Sequence, residues 1–178
     1  VTNRRAFVLW TELLDQGVRI AATSGRDWHD QTPTEDPLSV TYIGVEDSTR
    51  PLADEVVRSL RRGRVAVTIG PLVTLEVGSR GRSYAVGDCC PLDERIARVA
   101  VRFSVRPGLW ALAEQTFRLR MVGNAGVVGE IAVPGIDAAY SFQLPAQGMI
   151  WTRAELWGEV NGDRLLIAFT NAVYFEQT

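Results

Sequence analysis

Apolar residues at Ala6, Trp10, Leu13 and Leu14 follow helical spacing across 3–16, and Gly17 supplies a C-terminal stop, so this stretch predicts a helix. The apolar run at 18–23 predicts a strand directly after it. Gln31-Thr32-Pro33-Thr34-Glu35-Asp36-Pro37 then sets two prolines among polar residues and predicts a loop, and loops in such places often border a site. A short strand at 41–45 follows. Next comes a helix capped by Ser48 or Thr49, with Pro51 in its first turn and Gly63 at its end. Leu52, Val56, Val57 and Leu60 are expected to form the buried side of that helix.

Beyond Gly63 the period changes from helical to alternating. Strands are expected at 64–69, 72–77, 96–105, 116–122, 127–133, 140–144, 149–159 and 165–175. Turn signals such as Gly70-Pro71, Gly123-Asn124, Pro134-Gly135 and Asn161-Gly162-Asp163 separate them. Many short strands so punctuated imply a β-sandwich. Arg98, Arg102 and Arg106 flank Val99, Val101, Phe103 and Val105, the pattern of a strand with one wet face. A short helix at 109–115 is an option between strands. The fold class expected is α+β and mostly β, with an α/β piece over 1–67 and a β-sandwich over 68–178. The first piece has too few elements to cover both faces of a parallel sheet. Its partner strands should therefore lie upstream or in another chain, and the sequence reads as the C-terminal part of something larger.

Composition narrows the function classes. With 178 residues and 46% hydrophobic content, the chain can bury a real core. Its formal charge is -2 with both signs interspersed, unlike the basic stripe that a phosphate backbone requires, so nucleic acid is not an expected partner. No apolar run approaches the roughly 20 residues that span a bilayer, and no membrane partner is expected. The first residues carry no signal-peptide cleavage pattern, and location is not encoded, with the cytoplasm slightly favoured. Lys is absent, which excludes a Schiff-base or P-loop lysine. Cys89 and Cys90 stand side by side, which is not the C-x-x-C spacing of zinc or redox sites. Small buried hydrophobes are the favoured reading for them, with a vicinal disulfide or a reactive thiol as alternatives.

The candidate chemistry lies in Thr23-Ser24-Gly25-Arg26-Asp27-Trp28-His29-Asp30. Asp27 and His29, the chain's one histidine, sit two residues apart just after an apolar run. A carboxylate and an imidazole so spaced on a loop can bend toward one cation, and divalent metals accept mixed N/O ligands. The plainer reading of that spacing is a turn aspartate beside a surface or capping histidine. Asp30, Glu35, Asp36 and Asp47 are near in sequence and could support the pair. Elsewhere, Trp110, Trp151 and Trp157 suit a sandwich core better than a carbohydrate platform. Arg61 and Arg62 complement their helix C-terminus, and 78–82 reads as a hairpin loop.

Several segments together resemble the end of a PHP-domain metallohydrolase. They are Trp10 to Gly17, Gly25-x-Asp27-x-His29, Thr41-Tyr42-Ile43, and Glu55 to Gly63 followed by Arg64-Val65-Ala66-Val67-Thr68-Ile69-Gly70-Pro71. More narrowly, the chain is similar to the branch with carbaryl-hydrolase-like proteins, in which a β-rich domain follows the barrel. Phe169-Thr170-Asn171-Ala172-Val173-Tyr174 resembles the Thr-Asn-Pro-hydrophobic ending common there, with Ala172 in place of proline. The resemblance implies a distorted α/β barrel whose strand ends hold two or three metal ions, commonly zinc, manganese or iron. It implies hydrolysis of phosphate esters or of carbamate and related esters, and Asp27 and His29 match metal-ligand positions. Arg26 and Trp28 replace the small residues usual there and become candidates for substrate contact. Arg26 serves equally as an ion-pair partner of Asp27, and Trp28 as a packed aromatic.

The other ligands, including the opening histidine pair, have no counterpart in this chain. Metal is therefore expected in the complete protein, and this fragment is expected to be weakly active or inactive. The partners expected are a small-molecule ester, an upstream barrel segment or another chain, with a homo-oligomer as a further option. The competing expectation is a non-catalytic β-sandwich module that binds a partner or substrate.

Overall fold

A computed structural model describes residues 2–25, 39–91, 96–105, 112, 114–145 and 147–176. Its elements are α1 (Thr2–Asp15), β1 (Val40–Ile43), α2 (Leu52–Arg62), β2 (Val65–Thr68), β3 (Leu72–Ser79), β4 (Arg82–Ala85), β5 (Cys89–Cys90) and β6 (Ile96–Arg102). They continue with β7 (Thr116–Gly123), β8 (Gly126–Pro134), β9 (Ala138–Gln143), β10 (Trp151–Val160), β11 (Asp163–Thr170) and β12 (Val173–Phe175). The chain is thus mostly β, as the alternating pattern beyond Gly63 requires. Among the described residues, strands β4-β3-β6-β9 form one sheet, and β1-β2-β11-β10-β12-β5 form the path of the other, with β7 pairing β10 and β8 pairing β7. All pairings are antiparallel except β12 with β5.

Alternation creates the core between the sheets. Along β6, Ala97, Val99 and Val101 are buried while Ile96, Arg98 and Arg102 face outward. They meet Val73, Leu75 and Val77 of β3, and, from the larger sheet, Leu119, Met121, Leu156 and Ile167. Removing such apolar surface from water is the main favourable term of folding. The opposite face of the larger sheet is covered by α1. Trp10 and Leu14 pack there with Val122, Trp151, Ala172 and Tyr174. Trp151 is fully buried, as expected for a core tryptophan, while Trp157 is only half-buried. Trp110 and most of 109–115 lie outside the described residues.

Several local expectations are corrected. Residues 18–23 do not form a strand; they run without ladder pairing and are held by side chains instead. The run at 165–175 is broken at Asn171 and Ala172, where the chain changes its outer neighbour from β2 to β5. The hairpin turn at Arg80 and Gly81 was legible, but β4 and β5 beyond it were not anticipated. Neither Ser48 nor Thr49 caps α2: its N-cap is Pro51, with no side-chain cap bond. At the other end Gly63 adopts φ 74 and its amide closes the helix, as the stop signal required. Gly87 packs there too, with φ +86 and a position where a Cβ would come within 1.8 Å of the Arg62 carbonyl oxygen, so only glycine fits.

The largest correction concerns which side of α2 is buried. Glu55 and Ser59 face inward, whereas Leu52 and Val57 are exposed and Val56 and Leu60 half-exposed. The reason is the loop after β1, whose polar backbone needs partners. Ser59 donates its hydroxyl to the Gly44 carbonyl at 2.5 Å, and Glu55 Oε1 accepts the amides of Glu46 and Asp47 at 3.1 and 3.4 Å. Hydrogen bonding, not burial of the apolar stripe, sets the rotation of this helix.

The boundary expected between residues 67 and 68 falls inside β2. That strand lies between β1 and β11 in the larger sheet, so the two segments share one hydrogen-bonded surface.

Candidate functional site

Arg26, Asp27, Trp28 and His29 lie outside the described residues, as do Asp30, Glu35 and Asp36. The described flanks show how the chain enters and leaves that segment. On the entering side, Asn171 binds the backbone of Ala22 twice: Oδ1 accepts its amide at 2.8 Å, and Nδ2 donates to its carbonyl at 2.9 Å. This imitates a strand pairing with one side chain, at a point where 18–25 has no ladder partner. Nδ2 also reaches the Val65 carbonyl at 3.2 Å, so the clamp is fixed to β2. Asn171 itself is 2% exposed, and its amide donates to Val65 as well.

On the leaving side, Ser39 meets the entering segment directly. Its hydroxyl lies 2.5 Å from that of Ser24, and the Ser24 amide donates to Thr41 Oγ1 at 2.8 Å. The two ends of the Asp27 and His29 segment are therefore tied together at the edge strand β1. Ser24 lies in the segment singled out from sequence, but neither it nor Ser39, Thr41 or Asn171 was given a tying role there. Asn171 could have been suspected, because an asparagine between apolar residues at 169–174 must satisfy a buried amide.

Asp47, weighed as a supporting carboxylate, is engaged elsewhere. It accepts from the Thr49 amide and hydroxyl and from Arg50 Nε at 3.0 Å. The Thr49 hydroxyl first, then its amide and Arg50, hold the Asp47 carboxyl at about 2. The neighbouring acids are likewise paired. Arg58 donates to Glu55 and holds its carboxyl below the ordinary range. Arg64 joins Glu46 at 2.6 Å to Asp88 at 2.6 Å. Arg61 and Arg62 both stand in the last turn of α2, where the dipole reading puts them, and Arg62 also pairs with Glu46 at 2.9 Å. Among the described residues no three His, Cys, Asp or Glu side chains gather as a metal-binding group.

A second polar cluster lies beneath α1. Arg153 is 2% exposed and joins Glu155 through Nε at 2.9 Å and Nη2 at 2.7 Å. Its Nη1 donates to Thr11 of α1 at 3.0 Å, and its guanidinium lies against Phe7, Trp10 and Trp151 at 4.5, 4.8 and 4.9 Å. Trp157 donates its indole N–H to the other Glu155 oxygen at 2.9 Å. Burial lowers the Arg153 pKa against the opposing pull of Glu155. With its donors and acceptors so used, this cluster anchors α1 to β10 and leaves no group poised for reaction.

Cys89 and Cys90 occupy consecutive positions of β5 and so point to opposite faces. Cys90 enters the sandwich core, while Cys89, half-buried, accepts from Arg19 at 3.3 Å on the α1 face. Neither is joined in a disulfide. The buried-hydrophobe reading fits Cys90, and no vicinal disulfide forms.

In comparisons with known proteins, no family model matches the chain, and no match is found among curated proteins or solved structures.

Proposed function

We propose that this chain is the C-terminal portion of a metal-dependent hydrolase of PHP type, in which Asp27 and His29 supply two ligands to a site completed by upstream residues. The observation that supports it is the tie between Ser24 and Ser39, backed by the Asn171 clamp, because it fixes both ends of the segment bearing those two residues. A ligand pair needs such anchoring, since coordination geometry tolerates little displacement.

The residues present fit a divalent metal only in part. Asp27 and His29 offer one oxygen and one nitrogen donor, and Asp47 is committed to its own turn. When bound, zinc, manganese or iron would supply an activated water for attack on a phosphate, carboxylic or carbamic ester. Arg26 and Trp28 would then stand beside the ester. The fragment alone would be weakly active or inactive.

Metal content measured by plasma mass spectrometry tests this reading. This chain should carry little zinc, manganese or iron, while a longer version with the preceding residues should bind metal and hydrolyse a nitrophenyl phosphate or acetate. Asp27→Asn and His29→Gln in the longer version should each lower its affinity by about 10-fold or more. A longer version that neither binds metal nor cleaves an ester overturns the proposal. The competing reading, a non-catalytic interaction module, draws support from the outward apolar stripe of α2.

A further inference from the structure

We infer that α2 is a self-association surface, pairing antiparallel with α2 of a second copy of this chain about a two-fold axis. The inference is independent of the metal reading. Leu52, Ala53, Val56, Val57 and Leu60 form one stripe along this 11-residue helix, and Leu52 and Val57 are 67% and 47% exposed. A contiguous apolar stripe facing water marks a contact surface when polar groups rim it. Here Glu55 and Ser59 are consumed by the loop after β1, so the helix cannot roll to bury the stripe without losing those bonds.

The rim identifies the occupant. Arg58 and Arg62 are ion-paired within the chain. Asp54 and Arg61, both exposed, have no ion-pair partner among the described residues. They stand seven positions apart, about two helical turns, and so share one edge of the stripe. A two-fold axis midway between them sets Asp54 of each copy against Arg61 of the other. Asp54 in the first turn of α2 and Arg61 in its last turn then meet their opposites at the two ends of the contact, and the two helix dipoles run antiparallel. Helix pairing of this kind inserts Val56, Val57 and Leu60 of one copy between those of its mate.

The contact is small. A helix of this length spans roughly 16 Å, and its face buries less than the roughly 800 Å² per partner of stable complexes. The dimer should therefore be weak, with a dissociation constant on the order of 100 µM.

Sedimentation equilibrium across a dilution series tests the inference. The wild-type mass should rise from 19.6 kDa toward twice that value as concentration increases. Asp54→Arg and Arg61→Asp should each weaken association by about tenfold, because each sets like charges against one another. An equimolar mixture of the two variants should restore it, since each then offers what the other lacks. Circular dichroism checks that both variants fold. A wild type that stays monomeric at every concentration, as it would if a different partner covers this face, overturns the inference. So do single variants that associate like wild type, or a mixture that fails to recover.

Discussion

Asn171 holds both backbone groups of Ala22, accepting its amide at 2.8 Å and donating to its carbonyl at 2.9 Å across 149 positions of sequence. With Thr41, which accepts the Ser24 amide, and Trp10, which donates to the Ile20 carbonyl, it stands in for the neighbouring strand that residues 18–25 lack.

Replacing Asn171 with Ala should destabilise the protein by about 2 kcal/mol, because it takes the side-chain partner from the part-buried Ala22 amide and carbonyl, while the Val65 carbonyl keeps the Asn171 backbone amide. Urea unfolding measures the loss, and hydrogen exchange at the Ala22 and Ser24 amides should accelerate before global unfolding. Unchanged exchange at those amides would show that the clamp does not hold the segment.

The buried pair beneath α1 predicts an asymmetric double-mutant cycle. Arg153→Met should cost about 3–5 kcal/mol, since it leaves the Glu155 carboxylate buried with only the Trp157 indole as donor. Arg153→Met combined with Glu155→Leu should cost less than Arg153→Met alone, because no charge then remains without a partner. Denaturant titrations of Arg153→Met, Glu155→Leu and the double variant decide it; strictly additive costs would sink the argument.

Acid should weaken the fold in a defined window. The Asp47 carboxyl is depressed from 3.8 to about 2, so its contribution is fully present above the unfolded value and disappears as pH falls through the folded one. Glu55, Glu130 and Asp137 are lowered as well, chiefly by Arg58, Arg120 and Ser104 respectively, and add to the same acid limb. Asp47→Asn should be less stable than wild type at neutral pH, with the difference shrinking between about pH 4 and pH 2. A difference that stays constant across that range would assign the effect to something other than the carboxylate.

Period and punctuation made much of the fold legible. Alternation of Ala97, Val99 and Val101 with Arg98 and Arg102 assigned β6 its buried face, because a pleated strand turns successive side chains to opposite sides. Gly63 marked the end of α2, because a left-handed cap favours a residue without a Cβ. The Asp27 and His29 pair was legible as a spacing, and its described surroundings were not. Ser24, Ser39, Thr41 and Asn171 come from four distant stretches, and local periodicity carries no record of long-range hydrogen bonds.

The sequence by itself determined that the chain would be mostly β, where its two described helices stop, and which residues of its alternating strands enter the core, because these follow from local backbone geometry and the burial of apolar surface. Only the tertiary structure decided that α2 turns Glu55 and Ser59 inward and Leu52 and Val57 outward, and that 18–25 is held by side chains such as Asn171 and Thr41 instead of by a strand. Both outcomes come from unsatisfied backbone groups elsewhere in the molecule, whose need for partners outweighed the apolar pattern of the segment itself.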